Sequence, residues 1–161
     1  MKSKNKKFGI ICSGGCAPGM GTCVIVFTKK CLASGITPVA FNNGFEGLHD
    51  DSYVELKSFL QQHDWNDGSA LIGSGRCPQF ANNAKYRKHC VANLKKHGVD
   101  ALVVVGGEGT YRGALELSKL GVKIIAVPAT IDNDVASTSY TVGFDTCLNT
   151  ICDAVSKIND C

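Results

Sequence analysis

The chain has 161 residues, of which 44% are hydrophobic, and its formal net charge is +3. This length suits one domain, which buries about 70% of the surface that its unfolded chain exposes. The lysines and arginines are scattered along the chain, so the charge argues neither for nor against a nucleic-acid partner, and we expect none. No apolar run approaches the ~20 residues of a membrane span, and the basic run at 2–7 is followed by too short an apolar stretch for a signal peptide.

The nine cysteines form no recognisable disulfide or metal pattern. Their number is odd, no C-x-x-C pair occurs, and the histidines do not flank any pair at zinc spacing. Most of them stand where a small apolar side chain is expected, and we interpret them as reduced packing residues of a cytoplasmic protein. These are Cys12, Cys23, Cys31, Cys90, Cys147 and Cys152. Cys16 differs because it lies in a glycine-rich loop.

The first third of the chain predicts an alternation of strands and helices. A buried strand at residues 8–12 runs into the glycine-rich loop 13–21, and apolar residues at 24–32 then indicate a helix that Gly35 ends. A second strand at 36–41 leads into a turn-rich segment at 42–47. The loop 13–21 is not a P-loop, because no Lys-Ser/Thr follows its last glycine.

The middle of the chain is predicted to bring an arginine to a strand end. We expect a short strand and a helical turn at 53–60, a turn at 64–69 and a third short strand at 70–72. Arg76 follows that strand after two glycines, where its planar fork can reach a phosphate. The alternative is an ordinary surface arginine.

A helix is predicted at residues 82–97. Asn82 or Asn83 can cap it, and Gly98 ends it. Its apolar face consists of Tyr86, Cys90, Val91 and Leu94. A closing helix is predicted after Asp145, which can cap it. The apolar face of that helix consists of Leu148, Ile151, Cys152, Val155 and Ile158.

Residues 101–134 hold the pattern that points to function. Two apolar runs, 101–105 and 123–127, predict parallel strands buried on both faces. The helix between them is predicted to carry Ala114, Leu115, Leu117 and Leu120 on one side. Gly106 and Gly107 follow the first strand, and Thr130, Asp132 and Asp134 follow the second. Ligands bind outside the carboxyl ends of parallel strands, so we expect both polar clusters at the same edge of the sheet.

The residue types at this edge suit a phosphate. Gly107, Gly109 and Thr110 precede a helix, whose free N–H groups and positive dipole end favour an anion. A carboxylate in such a loop, Glu108, repels phosphate unless a cation lies between them, and so indicates Mg²⁺. For either cluster alone, an ordinary βα turn with solvated acids remains the alternative.

The order of elements predicts an α/β fold with a mostly parallel sheet flanked by helices in three layers, Rossmann-like in form. We expect residues 1–161 to form a single nucleotide-binding domain. A flavin- or NAD-binding protein is a distant alternative, because the glycine spacing is not G-x-G-x-x-G.

Five segments together resemble the 6-phosphofructokinase family. The family motifs GGDGSxxGA and PGTIDND are matched by GGEGTYRGA and PATIDND, and SGGDAPGMN is matched by SGGCAPGMG. The segment GSGRCPQF resembles the family's arginine–cysteine loop, and TVGFDTCLNTICDAVSKI resembles TIGFDTALNTxxDAIDKI. The resemblance covers the chain from Phe8 to its last residue and corresponds to the N-terminal half of the family.

The resemblance implies a phosphofructokinase N-terminal domain, ATP as phosphoryl donor, fructose 6-phosphate as acceptor and Mg²⁺ as cofactor, in glycolysis. It implies that Asp132 is the catalytic base, with Thr130 and Ile131 beside the sugar phosphate and Asp134 orienting the phosphates. It places Glu108 on Mg²⁺. The residues implied to hold ATP are Gly15, Arg76, Cys77, Gly107, Gly109 and Thr110, together with Glu108.

Two positions bear on the choice between ATP and pyrophosphate. By the same resemblance, pyrophosphate-dependent relatives typically carry Asp at the position of Gly109 and Lys at the position of Ala129. An Asp would fill space and oppose the charge of the α-phosphate of ATP, whereas a Lys would hold the smaller donor. The chain has neither, so we predict ATP.

The chain also departs from the family pattern. Glu108 and Cys16 each replace an Asp, and Ala129 replaces a Gly. Ile25 stands where bacterial allosteric enzymes carry an effector-binding Arg, so the resemblance does not carry nucleotide activation over to this chain. The family's second domain, with most of the groups that grip the sugar phosphate, is absent from the sequence.

Two functions of different classes therefore remain open. The first is an ATP-dependent 6-phosphofructokinase whose activity depends on the missing second half or on a homo-oligomeric neighbour. The second is a non-catalytic phosphofructokinase-like module that binds nucleotide or another subunit. The intact TIDND favours the first, whereas the length and the changes at Glu108 and Cys16 favour the second.

Overall fold

A computed structural model describes residues 6–63 and 70–159, and the predicted turn at 64–69 lies outside them. Within the described residues the strands form one sheet. They are β1 (Lys7–Cys12), β2 (Thr37–Phe41), β3 (Tyr53–Glu55), β4 (Ala101–Gly106) and β5 (Ile124–Pro128). Their order across the sheet is β3-β2-β1-β4-β5, and only β3 runs antiparallel to its neighbour. The prediction of a mostly parallel α/β sheet is confirmed.

The helices lie on both faces of this sheet. They are α1 (Met20–Ala33), α2 (Gly44–His49), α3 (Pro78–Asn82), α4 (Ala84–Lys96), α5 (Glu108–Lys119) and α6 (Phe144–Asn159). A short 3₁₀ turn at Phe59–Gln61 follows β3, so the strand and helical turn predicted at 53–60 are confirmed. None of the helices in the described part of the chain is long and apolar enough to cross a membrane.

The two faces of the sheet are covered by separate apolar clusters, which gives three layers. Side chains alternate along β1, so Ile10 packs with Met20 and Val24 of α1, whereas Ile11 packs on the opposite face. The opposite cluster contains residues of α2, α3, α4 and α5. Ile25 is fully buried, which makes it a core residue.

Asn83 divides the predicted helix at 82–97 into α3 and α4. Its backbone is extended (φ −126°), and its side-chain oxygen accepts hydrogen bonds from the backbone N–H groups of Lys85 and Tyr86 at 3.0 and 3.2 Å. This confirms Asn83 as the cap of α4, because the side chain satisfies two of the helix's free donors. The predicted face of Tyr86, Cys90, Val91 and Leu94 is buried.

Two predictions of local structure between β2 and α3 are wrong. The strand predicted at 70–72 is a turn, closed by a hydrogen bond of 2.8 Å from the N–H of Gly73 to the carbonyl of Ala70. The turn-rich segment predicted at 42–47 gives way to α2, because Phe45 and Leu48, one helical turn apart, are both buried in the core. In α2 the burial of two apolar side chains outweighs the local pattern, whereas after 70–72 the backbone turns at Gly73, whose φ is 69°.

β5 and α5 are less buried than the sequence predicts. The prediction that β5 is buried on both faces is wrong, since it is an edge strand in the described chain and Ile125 is 56% exposed. On α5, Ala114 and Leu117 are buried as predicted, whereas Leu115 and Leu120 are exposed. The buried face of α5 instead includes Thr110 and Gly113, because this side of the helix turns toward the loops after β1 and β4.

α6 forms as predicted but leaves its apolar face uncovered. Asp145, predicted to cap the helix, lies in its first turn, where a carboxylate still suits the helix dipole. No residue of α6 is buried, and the predicted face is partly or largely exposed along its length. Cys152, predicted to pack internally, is exposed, whereas Cys12, Cys31 and Cys90 are buried as predicted.

Candidate active site

One cleft of about 880 Å³ lies at the carboxyl ends of β1, β4 and β5. The strand order changes direction at β1, and this is where ligands bind in open parallel sheets. The cleft brings together every residue that the sequence analysis assigned to a site. These residues are Gly15, Arg76, Cys77, Gly107, Glu108, Gly109, Thr110, Thr130, Ile131, Asp132 and Asp134.

The loops after β1 and β4 are joined beneath the cleft. The backbone N–H of Ser13 donates to the carbonyl of Val105 at 2.9 Å, and the Thr110 hydroxyl donates to the carbonyl of Ser13 at 2.9 Å. Gly106 makes this close approach possible, because a Cβ there would lie 2.3 Å from the Ser13 oxygen. Gly106, the last residue of β4, is therefore a packing requirement in this chain.

Arg76 reaches the cleft because its loop is bonded to the loop after β1. The N–H of Gly14 donates to the carbonyl of Gly75 at 2.9 Å, and the hydroxyl of Ser74 donates to the carbonyl of Gly14 at 2.8 Å. Arg76 and Cys77 come directly after this junction. The guanidinium of Arg76 makes no ion pair with any residue that the structure describes, so its charge is available to an anion.

The first turn of α5 faces the cleft with uncapped donors. Gly107 is the N-cap residue and carries no side chain that could accept from the first N–H groups. A Cβ on Gly109 would meet no atom within 4 Å, so the space beside this turn is open. A helix start with free N–H groups beside open space can bind a phosphate.

The loop after β5 is held by side-chain hydrogen bonds. The backbone N–H of Asp132 donates to the Thr130 hydroxyl at 3.2 Å, and that hydroxyl donates to Oδ2 of Asp132 at 3.4 Å. Asn133 has a left-handed backbone (φ 51°), and its side chain bonds to Ser139 and Thr141 at 3.1 and 3.0 Å. The sequence analysis assigned no role to Asn133, which shapes the loop that carries Asp132.

Glu108 is paired with a residue that the sequence analysis missed. Nε and Nη2 of Arg112 donate to Oε1 of Glu108 at 3.1 and 2.6 Å. Both side chains line the cleft. The signal was present in the sequence, because residues four apart face one another on a helix.

The residues present fit a magnesium ion best when a ligand's phosphates complete its coordination. Among the described residues no group of three or more histidines, cysteines and acids gathers as a metal site. Mg²⁺ usually takes one or two protein carboxylates and completes its octahedron with phosphates and water. Glu108, with Asp132 and Asp134 in the same cleft, satisfies that requirement.

An aromatic wall closes one side of the cleft. The rings of Phe45 and Phe80 stack with centroids 4.0 Å apart, and both line the cleft. A Cβ on Gly113 would lie 2.7 Å from the Phe45 ring, so this glycine lets the ring approach α5. The sequence analysis did not predict this wall, because Phe45 stands in a segment that it took for a turn.

The cysteines around the glycine loop differ in environment. Burial raises the pKa of Cys12 to about 12, with smaller contributions from Cys23 and Cys16. Cys16 is exposed and lines the cleft. Cys12 therefore packs as a neutral thiol, whereas Cys16 is accessible from the ligand side.

Comparison with known sequences and structures shows the family to which the chain belongs. The sequence model of the family described as Phosphofructokinase matches residues 7–161. The chain belongs to the phosphofructokinase family. It is 41% identical over 155 residues to the ATP-dependent 6-phosphofructokinase of Tolumonas auensis, and this match covers 96% of the chain.

Solved phosphofructokinases share its fold. The phosphofructokinase of Saccharomyces cerevisiae superposes with a TM-score of 0.81 and 27% identity over 96% of this chain, but over 24% of that one. The pyrophosphate-dependent phosphofructokinase of Nitrosospira multiformis superposes with a TM-score of 0.71 over 88% of this chain and 38% of that one. At 20% identity, the second likeness concerns the fold alone.

The match is to part of each relative. The chain spans 48% of the length of the Tolumonas auensis protein. A relative from Vibrio cholerae, 40% identical, is covered to the same extent. The chain therefore corresponds to about half of a full-length bacterial phosphofructokinase.

Proposed function

We propose that this chain is the nucleotide-binding domain, residues 1–161, of an ATP-dependent 6-phosphofructokinase. Such an enzyme transfers the terminal phosphoryl group of ATP to the 1-hydroxyl of fructose 6-phosphate. The observation that carries the proposal is that one cleft brings together the glycine turn of α5, Arg76 and Asp132, which come from three separate loops. The names of the bacterial relatives, which are ATP-dependent 6-phosphofructokinases, support it.

The proposed role of the glycine turns is to hold the phosphates of ATP. The free N–H groups at the start of α5 and the guanidinium of Arg76 supply positive charge at the cleft. Gly15 lies exposed after β1, Cys77 follows Arg76 in the chain, and both line the cleft. We place the phosphates between Arg76 and the glycine turn.

The proposed base is Asp132. Its carboxylate would accept the proton of the sugar hydroxyl as that oxygen attacks phosphorus, the task that phosphoryl transfer leaves to a protein side chain. The Thr130 hydroxyl donates to one carboxylate oxygen of Asp132 and so restrains it. Ile131, between Thr130 and Asp132 in the chain, also lines the cleft. Asp134 lines the same cleft and would orient the phosphate end of the donor.

Mg²⁺ would bind between Glu108 and the phosphates. When bound, it neutralises charge on the transferring phosphoryl group. In this chain Arg112 occupies Oε1 of Glu108, whereas Oε2 takes no part in the pair, so an ion bound there would lie beside the guanidinium.

Further protein is needed to hold the sugar phosphate. The cleft is lined by two arginines, Arg76 and Arg112, and we assign both to the nucleotide side. We propose that a second half, or a neighbouring subunit, supplies the cationic grip and packs on the exposed apolar face of α6. The exposure of Ile151 and Val155 on that face supports association with further protein.

The same exposed face supports the second candidate, a non-catalytic module that binds nucleotide or another subunit. The pairing of Glu108 with Arg112 also favours it, because it occupies the proposed metal ligand. For either function we propose a cytoplasmic setting, since the eight cysteines among the described residues are all free.

The experiment that separates the two functions has two parts. Calorimetric titration of the chain with ATP should show binding, while the chain alone should show no turnover with fructose 6-phosphate. Addition of the separately expressed C-terminal half of a bacterial relative should then produce turnover. In that complex Asp132→Asn should lower kcat by about 10²–10⁴ and change ATP affinity only a few-fold.

Each outcome has a distinct meaning. A chain that binds no ATP contradicts the kinase and leaves, of the second candidate, only the binding of another subunit. A chain that turns over alone at an ordinary ~1–100 s⁻¹ removes the need for a second half. ATP binding without turnover in the complex favours the non-catalytic module.

A further inference from the structure

Arg112 stands one helical turn after the glycine turn of α5, at the wall of the cleft. Both of its hydrogen bonds to Glu108 end on the same oxygen, Oε1. The two side chains are 78% and 53% exposed, so the pair is surrounded by water and costs little to open. The ion pair can therefore open when a nucleotide binds in the cleft.

We propose that Arg112 is a positioning residue that keeps Glu108 from binding a divalent cation until the phosphates of a nucleotide are present. This inference rests on the proposed function, and it concerns how the metal and the nucleotide are coupled at that site.

Competition for Glu108 follows from charge. A guanidinium and a divalent cation repel each other, so each weakens the binding of the other to the same carboxylate. In the absence of nucleotide, Arg112 therefore lowers the affinity of Glu108 for a metal ion. Because the ion pair is exposed, the effect should be small, about two- to fivefold in the dissociation constant.

Nucleotide phosphates change this balance because they offer Arg112 another anion. The guanidinium fork matches a phosphate as well as a carboxylate. Arg112 lines the same cleft as the open space beside Gly109, where we place the phosphates. Transfer of Arg112 to a phosphate would free Glu108 for the cation, so each ligand would strengthen binding of the other.

The test measures binding, not turnover. Mn²⁺ replaces Mg²⁺ so that free ion can be followed by electron paramagnetic resonance, and ADP is the nucleotide. Arg112→Met removes the competitor. Lys157→Met is the matched control, because Lys157 and Asp153 form a similarly exposed pair four residues apart on α6, at 2.6 Å, and neither residue lines the cleft. Glu108→Gln removes the shared carboxylate.

Without nucleotide, Arg112→Met should bind Mn²⁺ about two- to fivefold more tightly than the wild type. With ADP present this gain should disappear, and metal-free ADP binding should be weaker than in the wild type. Lys157→Met should change none of these values by more than about twofold. That result would show that the effect of Arg112→Met comes from competition for Glu108 and not from the loss of one positive charge from the protein. Glu108→Gln should weaken Mn²⁺ binding.

Two results would overturn the inference. One is an Arg112→Met variant whose Mn²⁺ affinity without nucleotide is unchanged or lower, and the other is a Glu108→Gln variant that binds Mn²⁺ like the wild type. Failure of the proposed function looks different, since no variant would then bind ADP. The titration with Mn²⁺ alone still decides the role of Arg112 in that case.

Discussion

The hydroxyl group of Thr110 donates a hydrogen bond of 2.9 Å to the carbonyl oxygen of Ser13. This contact joins the first turn of α5 to the loop after β1. Thr110 is buried, and its hydroxyl oxygen would lie 2.5 Å from a Cβ on Gly106. The Thr110 side chain thus adds to the backbone hydrogen bond from Ser13 to Val105 in holding the loop after β1 against the start of α5.

Thr110→Val should therefore destabilise the protein by about 1–3 kcal/mol, because it leaves the buried carbonyl of Ser13 without this donor. Urea unfolding followed by circular dichroism measures the difference. Thr110→Ser is the control, since it keeps the hydroxyl and should stay within about 1 kcal/mol of the wild type. Equal stability of the Val variant and the wild type would show that the bond does not tie the loops.

Gly109→Asp tests the phosphoryl donor. A side chain at Gly109 enters open space, so the substitution should leave the fold intact and act on the ligand. The added carboxylate faces the proposed phosphate position, and like-charge contact costs several kcal/mol, so ATP affinity should fall by about 100-fold. Calorimetry measures the affinity.

Gly109→Asn is the control, because it has the same size without the charge and should bind ATP within about tenfold of the wild type. If Gly109→Asp binds ATP normally, the phosphates do not lie beside this residue. If the wild type prefers pyrophosphate, the prediction of ATP from Gly109 and Ala129 is wrong.

Asp51 should contribute to the pH dependence of stability. Its carboxylate accepts hydrogen bonds from Lys96 at 2.5 Å and from His97 at 2.6 Å, and these contacts hold its pKa below the usual value. A carboxyl group whose pKa is lowered by folding stabilises the folded state at pH values above its unfolded pKa of about 3.9. This stabilisation is lost as the pH falls through the lowered pKa of the folded state. The contribution should therefore be complete at neutral pH.

Asp51→Asn should destabilise the protein on the order of 1 kcal/mol at pH 7, and the difference should shrink as the pH falls below about 4. Asn keeps the left-handed backbone that position 51 adopts (φ 60°), so the change removes the charge and one of the two acceptor oxygens without straining the backbone. Urea unfolding at several pH values measures it. Asp50→Asn, at the neighbouring exposed carboxyl, is the control. A difference that persists below pH 3 would contradict the ion-pair account.

Cys16 and Cys12 should differ in their reaction with iodoacetamide. Burial raises the pKa of Cys12 from 9.0 to about 12. At a given pH its thiolate fraction is therefore about 10³-fold lower than that of a thiol with a pKa of 9.0, and the side chain is also inaccessible. Mass spectrometry of the native protein at pH 8 should find Cys16 labelled and Cys12 unlabelled.

ATP should slow the labelling of Cys16, because that thiol lines the cleft. Exposed Cys152 on α6 is an internal control, and ATP should leave its labelling rate unchanged. Labelling of Cys12 at the rate of Cys16 in the folded protein would contradict the burial described here.

The sequence by itself determined the alternation of strands and helices, the mostly parallel sheet and the end of the sheet at which the polar residues gather. Each of these follows from local patterns, because apolar runs mark buried strands and glycines mark the turns that end them. The cap at Asn83 was also predictable, since it depends on one side chain and the next two N–H groups.

Only the tertiary structure decided which groups pair and which faces are covered. Apolar spacing on α6 and in β5 predicted a buried face, but a pattern does not say what packs on it, and Ile125 and Ile151 remain exposed. Helix α2 forms where a turn was predicted, because Phe45 and Leu48 are buried in the core. Residues distant in sequence also pair, as the Thr110 hydroxyl does with the carbonyl of Ser13, because only the fold brings them together. The pair of Glu108 and Arg112 is different, since its spacing of four residues on one helix already allowed it.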